Sequence, residues 1–261
     1  MNKGQCKLCL RTDQDLQRSH FLGKALYRLN REGGQPIMMT PQLVIPTDRQ
    51  LWAHLLCYDC EQHFRANGED LAMRLVQRKN SFSLLARLEL ALPEETDGKI
   101  KVYSGRRVGV DTDKLAYFAL SVMWRSGVRK WETLRQQTSG IELGPYLEPI
   151  REYLVGTAGF PSGMAVLLTV ATDFGSQNMV LAPWRSRLSA YPSYGLLTRG
   201  IWFRAFMHPN LPSAVRERCC VGSARKLLFV ENCEPELLRL FAAIDSNAAV
   251  APSLQNLASS S

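Results

Sequence analysis

Apolar residues recur at helical spacing over 68–92, with Leu71, Leu75 and Val76 followed by Leu84, Leu85 and Leu88, so this stretch is expected to be mostly helical. A second helix is expected in DTDKLAYFALSVMWRSGVRKWETL, where Asp111 or Asp113 can cap the start and Leu115, Phe118, Ala119, Val122 and Met123 share one face. Gly144 and Pro145 interrupt that pattern, and residues 146–154 resume it as a shorter helix. After Gly156 the character changes. Residues 164–172, 196–207 and 226–231 are rich in β-branched and aromatic side chains and are bounded by Gly, Pro, Ser and Asn, which reads as three strands of a small antiparallel sheet. A helix over 234–244 closes the pattern, and the fold class expected is α+β.

The periodicities divide the chain into a module over 1–80, a helical region over 81–155, an α+β region over 156–247 and a frayed tail over 248–261. Of the 261 residues, 46% are hydrophobic and 21% charged, which excludes a disordered chain as the default reading. A formal net charge of +8, with Lys and Arg scattered along the chain, makes a polyanion a plausible partner, because each neutralised phosphate releases counterions. The opening MNKGQCKLCL has no apolar core of a secretory signal, and no stretch approaches the roughly 18 apolar residues of a membrane span. The cytoplasm is therefore the expected compartment, and no membrane partner is expected.

In a reducing compartment, seven cysteines point to metal more than to disulfides. Cys6-Lys7-Leu8-Cys9 and Cys57-Tyr58-Asp59-Cys60 are two C-x-x-C knuckles, a spacing that lets both sulfurs of a tight turn face one ion. Four thiolates close a tetrahedron and leave no open position, so the ion expected is a structural Zn²⁺. Cys219, Cys220 and Cys233 remain as buried thiols, the adjacent pair being poorly placed to chelate or to cross-link. No glycine-rich phosphate loop is present, GRRVG (105–109) being too short.

Between the knuckles, LQRSHFLGKALYR carries His20, and AHLLCYDCEQHFRANGE opens a helix at about Glu61. With these residues the chain resembles the cysteine-containing branch of the HNH nucleases, of treble-clef or ββα-metal fold. It is similar to bacterial HNH-like proteins carrying C-x-x-C, L-x-x-SH and LLC-x-x-CE-x-x-F, then a helix with FALSV-x-WR. The matching residues are Cys6, Cys9, Leu16, Ser19, His20, Leu55, Leu56, Cys57, Cys60, Glu61 and Phe64, then 118–122 with Trp124 and Arg125, so the likeness spans about residues 1–155.

The resemblance implies metal-assisted phosphodiester hydrolysis, of DNA in preference to RNA. His20 would serve as general base on water, and Mg²⁺ or Mn²⁺ would stabilise the developing charge. It also suggests a role in phage defence or mobile-element biology. Several positions depart from the pattern. Ser19 stands where an acidic residue or His often binds the catalytic cation, and Glu61 stands where His or Asn is usual, although a carboxylate suits a hard cation. The usual Asn has no clear equivalent; Asp48 and His54 are the nearby candidates, and His63 follows on the opening turn of the helix. Gly23 replaces a common Pro.

Arg125, Arg129 and Lys130 beside Trp124 and Trp131 form a candidate nucleic-acid contact, and 183–195 and 216–226 read as further basic loops. These departures keep open a second reading, a non-catalytic zinc-binding module that binds nucleic acid or a protein partner. A third makes the chain a subunit docking through its C-terminal sheet.

Overall fold

The computed structural model describes residues 2–23, 26, 37–40, 43–46, 51–76, 82–129, 131–132, 137–138, 140–186, 191–221 and 224–245. The chain opens with β1 (Lys3–Gly4) and β2 (Gln14–His20), between which the first knuckle turns. A hairpin of β3 (Ile37–Thr40) and β4 (Leu43–Pro46) follows. Then β5 (Trp52–Cys57) returns antiparallel to β2, giving a three-stranded sheet in the order β1-β2-β5. The second knuckle opens α1 (Tyr58–Phe64), which runs through a π-helical turn (Arg65–Glu69) into α2 (Asp70–Val76). Next come α3 (Ser83–Glu89), β6 (Glu95–Asp97), β7 (Ile100–Ser104) and the long α4 (Thr112–Val128). A short ladder of β8 (Trp131–Glu132) and β9 (Gln137–Thr138) and a 3₁₀ turn (Gly144–Tyr146) lead to α5 (Leu147–Val155). The C-terminal half supplies β10 (Met164–Ala171), α6 (Phe174–Gln177), β11 (Val180–Ser186), β12 (Ser193–Thr198), β13 (Ile201–Met207), α7 (Ser213–Glu217), β14 (Leu227–Glu231) and α8 (Glu234–Asp245).

The class is α+β, as expected, but the main sheet is neither small nor purely antiparallel. It has seven strands in the order β11-β12-β13-β10-β14-β7-β6, and β10 pairs parallel with β14. Two of those strands, β6 and β7, come from the region expected to be helical, because IKVYS is a short β-branched and aromatic run that reads equally well as a buried helical turn. The expected strand over 196–207 is two strands, β12 and β13. Arg199 (φ 45°) and Gly200 (φ 92°) reverse the chain between them, as a two-residue hairpin requires. Much of 183–195, read as a basic loop, is the facing ladder of β11 and β12. The tail over 248–261 lies outside the described residues.

The long helix is the spine. Asp111 caps it, its carboxylate accepting from Lys114 N–H at 3.0 Å. The sequence pattern suggested one apolar face, yet every residue from Leu115 to Ser126 is buried. A helix buried all round must be covered on every side. Phe118 meets Phe203 of β13 edge-on at 6.0 Å, while Phe64 of α1 reaches both Trp124 and Tyr117 at 6.1 Å. The helix is thus clamped between the large sheet and the N-terminal helices.

The π turn makes that approach possible. A Cβ at Gly68 would lie 2.8 Å from Phe118 N and 2.9 Å from Lys114 O, so only a hydrogen fits between the two backbones. Gly68→Ala is accordingly expected to destabilise the fold by about 1–3 kcal/mol through overpacking. Urea denaturation of the variant measures this directly, and an unchanged midpoint would refute the close packing.

Candidate functional site

The first knuckle is built by backbone bonds: Leu10 N–H donates to Cys6 O at 2.9 Å, Cys6 N–H to Arg11 O at 3.0 Å and Lys7 N–H to Leu55 O at 3.0 Å. Leu10 takes a left-handed conformation (φ 62°) to close it. Arg151 of α5 steadies the same turn by donating to Leu8 O at 2.7 Å. The second knuckle straddles the start of α1, where Cys57 precedes the first turn and Cys60 lies within it. The ladder between β2 and β5 joins the two.

As a result the ligand atoms of Cys6, Cys9, Cys57 and Cys60 all lie within 4.8 Å of one another, with 3.9 Å between Cys9 and Cys57. That separation is far above a covalent S–S bond of about 2.05 Å. It matches the edge of about 3.8 Å in a tetrahedron whose zinc–sulfur bonds are about 2.3 Å. The four cysteines can therefore hold a metal ion such as zinc, and no other cluster of three or more such ligands occurs among the described residues.

Electrostatics favour the same occupant. The Cys60 thiol donates to Cys6 and holds the Cys6 thiol down at about 4, while the same bond drives Cys60 up and burial raises Cys57. Thiolates held this close repel one another, and a bound cation removes that repulsion. Arg11 adds positive charge at the rim: its Nε lies 3.3 Å from Cys9 Sγ, and its guanidinium also bonds Asp59 at 2.9 Å.

A second polar group lies beside the metal cluster. Ser19, fully buried, donates its hydroxyl to the Glu61 carboxylate and accepts from Leu56 N–H at 3.2 Å. Burial pushes Glu61 above the usual carboxylate range, opposed by the charge of Arg125 and the Ser19 hydroxyl. Arg125 is not an exposed nucleic-acid contact: at 1% exposure, it pairs with Glu69 and donates to His20 O at 3.0 Å. Its guanidinium also sits 5.3 Å from the Phe64 ring centre.

His20 occupies the end of β2, half-buried, opposite Trp52 of β5. Directly opposed residues share a face of an antiparallel ladder. His20 and Trp52 therefore lie on the outer face, and the buried pair Ser19 and Ala53 on the inner face toward Glu61. The sequence had joined His20 and Glu61 in one site; the register puts their side chains on different faces.

His63 is committed elsewhere. Its Nε2 donates to Leu154 O at 3.0 Å and its Nδ1 accepts from Asn67 at 3.2 Å, which pins α1 to α5. His54 lies on the outer face with Nδ1 3.0 Å from Leu16 O; a carbonyl only accepts, so that nitrogen carries the proton. Arg129 is exposed at the end of α4, 5.8 Å from the ring centre of Trp131, whose own indole donates into the core at Arg125 O. Lys130 and Asp48 lie outside the described residues. Cys219, Cys220 and Cys233 are buried, as expected. Arg11, Arg18, Trp52 and Glu69 were not singled out by the sequence, and only the ladder register and the helix packing bring them to these positions.

No protein-family model, curated protein or solved structure matches the chain. Among the described residues, no helix is long and apolar enough to cross a membrane.

Three outcomes follow for this region. Cys60→Ser is expected to weaken zinc binding by more than the roughly 10- to 100-fold typical when a group bonded to a ligand is lost. In wild type the ion should leave as pH falls, because the thiolates must take up protons. Elemental analysis and a chromogenic chelator assay check both. Arg125→Gln leaves the partly buried Glu69 without its cation and should cost about 1–3 kcal/mol in urea unfolding; a cost under about 0.5 kcal/mol would show the pair to be dispensable.

Proposed function

We propose that the chain is a zinc-stabilised module that binds nucleic acid and does not hydrolyse it through His20 and Glu61. The observation that carries this reading is the Ser19–Glu61 hydrogen bond, with Arg125 close behind it. The carboxylate that would have to hold a catalytic cation already accepts a hydrogen bond within the protein, and the charge of Arg125 acts on it. The candidate base lies across the ladder. A net charge of +8 supports a polyanionic partner over a neutral one.

A second reading, HNH-like hydrolysis of DNA, is favoured by one specific feature: the order of knuckle, hairpin and helix, with Glu61 immediately after Cys60 on the first turn. In that reading Mg²⁺ or Mn²⁺ would displace the Ser19 hydroxyl from Glu61, and His20 would turn toward the same side. A place in phage defence belongs to that reading alone.

The decisive experiment incubates zinc-loaded protein with supercoiled plasmid, single-stranded DNA and RNA in Mg²⁺ or Mn²⁺, beside His20→Ala of equal zinc content. The binding reading expects retarded electrophoretic mobility without cleavage, unchanged in the variant. Cleavage by wild type that is lost in His20→Ala would overturn it in favour of hydrolysis.

A further inference from the structure

The outer face of the β2–β5 ladder carries an arrangement that the metal centre does not need. The register shifts between Leu16 and Arg18, and this bulge re-aims the strand so that Arg18 opposes His54 and His20 opposes Trp52 on one face. The Arg18 guanidinium lies 4.0 Å from the centre of the Trp52 ring, and the His54 ring meets Trp52 edge-on at 5.4 Å. Trp52 remains 42% exposed. In the three-stranded sheet β5 is an edge strand, so Trp52 stands at a border and not in the middle of a covered surface.

From this geometry we infer that Arg18, Trp52 and His54 form a stacking platform for an unpaired base of single-stranded nucleic acid; the inference rests on the nucleic-acid reading above. An indole and a guanidinium each offer a flat surface to a base, and arginine adds attraction for the adjoining phosphate. The exposed indole, with the Arg18 guanidinium over its ring, suits a base whose own face is uncovered. Bases in a duplex are covered by their neighbours. Apolar protein hot spots also use Trp and Arg, but here Arg18, His20 and His54 share the face of the ladder that carries the indole. Charge complementarity thus favours a polyanion.

The test measures fluorescence anisotropy of a labelled oligo-dT strand and of a labelled duplex with the full-length, zinc-loaded protein across a salt series. Trp52→Ala, Trp52→Phe and Arg18→Gln are compared at equal zinc content. Wild type should prefer the single strand. Trp52→Ala should weaken single-strand binding about fivefold or more, Trp52→Phe should keep most of it, and Arg18→Gln should lower the salt slope by about 1. If wild type binds but Trp52→Ala binds as tightly, the platform is refuted while nucleic-acid binding stands. If wild type binds neither strand nor duplex, both readings fall. Should Trp52→Ala lose its zinc, Arg18→Gln decides, and an unchanged affinity and salt slope there overturns the inference.

Discussion

A guanidinium sealed in a protein interior is costly unless it is paired and hydrogen-bonded, and Arg125 is bonded to three parts of the chain at once. It pairs with Glu69 on the π turn, donates to the carbonyl of His20 at the end of β2, and bonds Ser121 one turn back on its own helix, with Nε 3.4 Å from Ser121 O. The end of the hairpin, the kinked helix after the second knuckle and the central helix are held to one charge. Movement of the end of β2 relative to α4 breaks the charge-assisted bond from Arg125 to the His20 carbonyl. The same cation lies close enough to Glu61 to oppose the effect of its burial, so the inner face of the hairpin is organised by a fixed positive group.

The metal cluster and the arginine act on the same elements from opposite ends. The cysteines join the turn before β2 to the turn after β5, and Arg125 joins the far end of β2 to the helix that follows. Between them the β2–β5 ladder has two unlike faces. One is buried and polar at Ser19, packed toward Glu61; the other shows Arg18, Trp52 and His54.

The cysteine spacing announced the four-thiol cluster directly, because a C-x-x-C turn encodes its geometry locally. The cap at Asp111, α5 and α8 were legible for a similar reason, since a helix declares its period within a few turns. What was not legible depended on contacts distant in sequence. The all-round burial of α4 follows from the layers on both sides of it, and the strand character of IKVYS from the partner it finds in β14. Sequence likeness grouped His20 with Glu61 and offered Arg125 to solvent. Ladder register separated the first pair and packing enclosed the second, and neither is written in residue type. Trp52 and Arg18 meet only because a bulge between Leu16 and Arg18 shifts the pairing.

The place of β7 in the sheet bears on how the protein is made. Val102 and Tyr103 are buried in a strand whose inner neighbour is β14, more than a hundred residues later in the chain. At synthesis rates of roughly 5–20 residues per second, that strand waits on the order of ten seconds for its partner to leave the ribosome. During that interval its backbone edge is open, and the central helix has no sheet to lie on. The N-terminal half carries the metal ligands and the hairpin but cannot complete its own interior, so the nascent protein depends on holding apart from other chains until its last strand arrives.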